Sequence, residues 1–67
     1  MKKRELVKRL REIAGSAGVM LLLVRQGGNH EIWSIGGELL VIPRHREINE
    51  RTARSIIERA QEVTHGS

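Results

Sequence analysis

Residues 19–43 read VMLLLVRQGGNHEIWSIGGELLVIP, three apolar runs parted by Gly27-Gly28 and Gly36-Gly37. Glycine reaches positive φ without steric cost, so glycine pairs between strand-like runs mark tight hairpin connections. The runs are short and bounded by turn residues, which favours strands over buried helices. They predict three antiparallel strands, at about 19–26, 30–35 and 38–42. Pro43 has no backbone N–H and therefore ends the third strand or lies at a sheet edge.

The flanking segments read as helices. From Lys3 to Ala14 the apolar positions Leu6, Leu10, Ile13 and Ala14 recur at helical spacing, Val7 widens the stripe, and charges fill the opposite side. Gly15-Ser16-Ala17-Gly18 then supplies residues that stop a helix and turn the chain. Asn49 is a suitable N-cap for a second helix, whose stripe Ala53, Ile56, Ile57, Ala60 and Val63 runs to a stop near Gly66. The order α-β-β-β-α predicts an α+β fold, one domain over residues 1–67, with two helices packed on one face of a three-stranded antiparallel sheet.

Strand side chains alternate between faces, yet Leu21, Leu22 and Leu23 are all apolar, as are Leu39, Leu40, Val41 and Ile42. With Leu22, Val24, Leu40 and Ile42 toward the helices, Leu21, Leu23, Leu39 and Val41, joined by Trp33 and Ile35, would point away. Two short helices cannot cover both sides. A second apolar face is expected to take another copy of the chain, forming a homo-oligomer, or a partner protein.

Composition narrows the chemistry. A 67-residue chain buries only about 60% of the surface its unfolded form exposes. Without Cys it has neither disulfides nor thiolate metal sites, so aliphatic packing or association must stabilise it. Lys and Arg number 12 against eight acids, an excess that favours a polyanionic partner. Charges at Glu5, Lys8, Arg9, Arg11 and Glu12 occupy the place where a signal peptide needs an apolar segment. The run Val19 to Val24 is far shorter than the roughly 20 residues of a membrane helix. A cytoplasmic protein with no membrane association is expected.

The chain has no Asp, and its Glu residues are scattered mainly along helices, which disfavours a two-metal nuclease. His30, His45 and His65 lack the spacing of a zinc motif, and P-loop and Ser-His-Asp patterns are missing. No metal or cofactor is expected. Metal-free acid–base chemistry remains, and RNA permits it because its own 2′-hydroxyl can attack the adjacent phosphate. Histidine can take or return a proton near neutrality, and arginine suits the charge developing on phosphoryl oxygens. His30 and Arg44, at the ends of the small sheet, can fill these roles. Taken singly, His30 reads as a turn residue, Lys2, Lys3 and Arg4 as a solvated terminus, Arg51, Arg54 and Arg59 as a solvated helix face, and Trp33 as a packing residue rather than a base-stacking platform.

Three blocks change that balance: Lys3-Arg4-Glu5-Leu6, the stretch from Val24 to Trp33 containing Arg25-Gln26-Gly27-Gly28-Asn29-His30, and Val41-Ile42-Pro43-Arg44-His45-Arg46-Glu47-Ile48. In this order and spacing the chain resembles, over nearly its whole length, the HicA family of small bacterial toxins. The resemblance implies a fold like the double-stranded-RNA-binding domain and the activity of a ribosome-independent mRNA interferase, silenced by a HicB-like antitoxin. In the family motif a Gly-rich turn delivers a catalytic histidine at the start of the second strand, here His30. The family turn commonly has Ser where this chain has Gly28, and the segment Gly15 to Gly18 is a few residues longer than usual.

The expectation is a metal-independent endoribonuclease toxin acting on mRNA, with His30 catalytic and Arg25, Gly28, Asn29, Arg44, His45 and Arg46 binding RNA. The competing classes are a non-catalytic RNA-binding module of the same fold and an interaction protein whose apolar face is its whole function.

Overall fold

The computed structural model describes residues 1–65. In chain order it contains α1 (Lys3–Ala17), β1 (Leu21–Gly27), β2 (His30–Ile35), β3 (Glu38–Pro43) and α2 (Glu50–His65). The strands form one antiparallel sheet in the order β1-β2-β3, and both helices bury their stripes on one face of it. Leu6, Leu10 and Ala14 of α1 and Ala53, Ile56 and Ala60 of α2 close with Leu21, Ile35, Leu40 and Ile42 into a single core. No helix among the described residues is long and apolar enough to cross a membrane.

Helix α1 runs three residues past its expected end. Gly15 is helical, and the stop comes at Gly18, whose φ of 71° lies in the left-handed region. Gly18 N–H donates to Gly15 O and Val19 N–H to Ala14 O, the paired bonds that satisfy the last carbonyls of a helix ending on a left-handed residue. The strand consequently starts at Leu21 rather than Val19. The cap of α2 is as expected: Asn49 Oδ1 accepts from Arg51 N–H at 2.8 Å. Its predicted stop near Gly66 lies outside the described residues.

Register corrects the assignment of faces. The two-residue turn Gly36-Gly37 pairs Ile35 with Glu38, and that fixes Trp33 opposite Leu40 and Glu31 opposite Ile42. Cross-strand partners share a face, so Trp33 and Ile35 lie on the helix side with Leu40, not on the outer side. Across the other hairpin Leu21 pairs with Ile35 and Leu23 with Trp33, while Leu22 pairs with Ser34. Leu21 and Leu23 therefore lie on the helix-side face and Leu22 on the outer one, the reverse of the expected phase, although only Leu21 is buried and Leu23 stays exposed on this edge strand. An irregularity between Leu23 and Arg25 shifts the register there and leaves Val24 exposed. Leu39 and Val41 point outward as expected, and with Leu22 they leave apolar side chains exposed on the uncovered face.

A further contact closes the end of the sheet. Lys3 N–H donates to Arg46 O and Ile48 N–H to Met1 O, both at 2.8 Å, and Lys2 pairs with Glu47 in an isolated antiparallel bridge. The first amide of α1, which has no partner within its own helix, is thus satisfied by the segment that follows β3.

Candidate nucleic-acid interface and catalytic site

The candidate residues gather where the β1–β2 turn meets the chain leaving β3. Gly27 pairs with His30, and His30 with Pro43, so Gly28-Asn29 is a two-residue turn opening directly onto His30. Gly28 has φ 55°, while no non-glycine residue has positive φ among the described residues. This is the pattern of a hairpin turn needing glycine at its first central position. A Cβ at residue 28 would meet nothing within 4 Å, so Gly28→Ala carries a backbone penalty alone. The expected loss is about 1 kcal/mol, read as a lower urea midpoint with unchanged slope; an unaltered midpoint would show that the turn tolerates a side chain.

Arg44 holds this turn from the other side. Its N–H donates to Asn29 O at 2.9 Å, and its Nη1 reaches Gly28 O at 3.4 Å. The His30 imidazole is exposed, and no hydrogen bond or ion pair engages it among the described residues. Arg25, paired with Ile32, lies on the same outer face as His30.

Beneath the turn is a residue that sequence reasoning did not single out. Glu31 is 3% exposed and is the one buried charged residue among those described. Its Oε2 accepts from Lys3 Nζ and from Gln26 Nε2 at 3.3 Å, and its Oε1 accepts from the Trp33 indole at 2.9 Å. Arg44 Nε stands 3.9 Å away. Burial pushes the Glu31 carboxyl up, but hydrogen bonds from Lys3 and Trp33 and the charges of Lys3 and Arg44 outweigh it, holding the group below its ordinary value. The available signal was register, which sets Glu31 in alternation with Trp33 and Ile35 on the buried face.

These placements divide the predicted set. Gly28, Asn29, His30 and Arg44 are contiguous at one sheet end, but strand alternation puts His30 on the outer face while the Arg44 guanidinium turns toward Glu31 on the helix side. No hydrogen bond joins His30 to Arg44. His45 and Arg46 lie further round, in a cleft of about 760 Å³ that they line with Arg44, Lys2, Lys3 and Arg4. Every residue of that lining is Lys, Arg or His. Among the described residues, no group of three or more His, Asp or Glu is placed to hold a metal ion.

Comparison of the chain with known protein families, characterised proteins and solved structures finds no match.

Proposed function

We propose that the chain is a HicA-like endoribonuclease toxin that cleaves mRNA without metal, and that a HicB-like antitoxin neutralises it. The observation carrying this reading is the presentation of His30: an imidazole with no protein partner among the described residues, placed at a strand start by a glycine turn that Arg44 bonds from behind. A histidine serving packing would be buried or hydrogen-bonded. This one is exposed beside basic side chains, where a phosphodiester would be drawn.

In the proposed reaction the 2′-hydroxyl of RNA attacks the adjacent phosphorus, its proton passes to a base, the bond from phosphorus to the 5′ oxygen breaks, and that oxygen is protonated. His30 acts as base or acid in this sequence. Arg25 shares its face and neutralises charge on the phosphoryl oxygens; the donors Arg44 keeps free are a second source of that stabilisation. Gly28 and Asn29 bring backbone close to the strand, and His45 and Arg46 hold its phosphates.

The test is incubation of purified protein with end-labelled mRNA in excess chelator. Shortened products ending in 2′,3′-cyclic phosphate or 3′-phosphate are expected. RNA left intact while still bound would overturn catalysis in favour of a binding module.

A further inference from the structure

The cleft at the start of α1 holds more positive charge than packing requires. Lys2, Lys3 and Arg4 converge there with Arg44, His45 and Arg46, drawn together by the backbone bond from Lys3 N–H to Arg46 O and by the Lys2–Glu47 bridge. Two of these cations are committed: Lys3 to Glu31 and Arg44 to the turn and Glu31. The side chains of Lys2, Arg4, His45 and Arg46 have no hydrogen-bond or ion-pair partner among the described residues. The neighbouring acids offset them only in part, because Glu47 and Glu50 both lie against the Met1 amino group, whose single positive charge takes up one of their two. Converging like charges repel one another, and a bound polyanion would relieve that repulsion while releasing its own counterions.

From this we propose that Lys2 and Arg4, together with Arg46, form a phosphate subsite for single-stranded RNA, holding the backbone next to the linkage that His30 cleaves. The inference rests on the RNA-cleaving reading for the identity of the polyanion. Arg44 connects the two regions, since it lines the cleft and also bonds the turn that carries His30. A strand crossing the end of the sheet would meet His30 and Arg25 on the outer face and the cleft on the other side. Lys2 and Arg4 carry no base-reading geometry, so their contribution is affinity rather than sequence preference.

The experiment measures binding of a labelled single-stranded RNA at several salt concentrations, with His30→Ala as the background so that the ligand survives. Adding Lys2→Ala and Arg4→Ala is expected to weaken binding at least tenfold at low salt. It should also reduce the log-log salt slope by about 1.4, because each lost phosphate contact removes about 0.7 on single strands. A control removing the same charge from the helices, Arg9→Ala with Arg54→Ala, should change affinity by less than about twofold at about 0.15 M salt, where charges further than about 8 Å from the bound strand are screened. Unchanged binding by the cleft variant, or equal losses in both variants, would overturn the subsite. The two readings separate cleanly: a cleft that binds RNA in a protein that never cleaves it sinks the nuclease alone, whereas cleavage lost through His30→Ala with no effect of the cleft variant on binding or its salt slope sinks the subsite alone.

Discussion

Replacing His30 by alanine is expected to lower the rate of RNA cleavage by about 10² to 10⁴, the range a positioned proton carrier contributes. Stability should hardly move. The side chain is exposed and has no hydrogen-bond or ion-pair partner among the described residues, so its removal should shift unfolding by less than about 0.5 kcal/mol. Affinity should also persist, because the cations supplying the phosphate contacts are untouched. The measurement is single-turnover cleavage at saturating protein, alongside RNA binding and urea denaturation on the same preparation. A large fall in rate with the other two quantities preserved would place His30 in the chemical step. Cleavage at the wild-type rate would remove it from that role, and a matching loss of affinity would make it a binding residue.

A proton carrier is useful only if its position is held, and the protein holds His30 through backbone rather than through the imidazole. The turn is bonded by Arg44 N–H to Asn29 O, and His30 itself is paired on both sides within the sheet. This leaves both ring nitrogens without a partner among the described residues, as the proposed reaction requires. Arg44 thus has a positioning role beside any contact it makes with phosphate, and it spans from the turn to the buried Glu31.

Features governed by local chemistry were legible in the sequence. Glycine turns, the Asn49 cap and the two helical stripes depend on neighbouring residues, and the α-β-β-β-α order follows from them. The Gly28-Asn29-His30 corner was legible for the same reason. Facing was not, because an unbroken run such as Leu21-Leu22-Leu23-Val24 has no alternation to set its phase. Register sets it instead, through the turns and the shift between Leu23 and Arg25. Counting back from the Gly36-Gly37 turn would have placed Trp33 opposite Leu40 and shown Glu31 entering the core side. The cationic cleft was beyond reach, since it depends on a bond between Lys3 and Arg46 that no local pattern announces.

Glu31→Gln is expected to lower stability by about 2 to 4 kcal/mol near neutrality, as loss of one partner from a buried charged network does. The amide keeps an oxygen for the Trp33 indole but cannot neutralise Lys3, and its own N–H groups face the donors of Lys3, Gln26 and Arg44. A domain of this length has roughly 3 to 10 kcal/mol in total, so the variant should unfold at a much lower denaturant concentration. The pH dependence identifies the charge as the cause. The folded Glu31 carboxyl is held below its ordinary value, so the folded state binds this proton less readily than the unfolded chain does. Its stabilisation is complete above the unfolded value of about 4.3 and is lost as pH falls through the lower folded value. The gap between wild type and Glu31→Gln should therefore be widest near neutrality and narrow below about pH 4. Denaturant curves for both proteins across that range provide the measurement. A gap that is absent, or that stays constant down to acid pH, would show that the carboxylate does not act as the charged centre joining α1, β2 and the segment after β3.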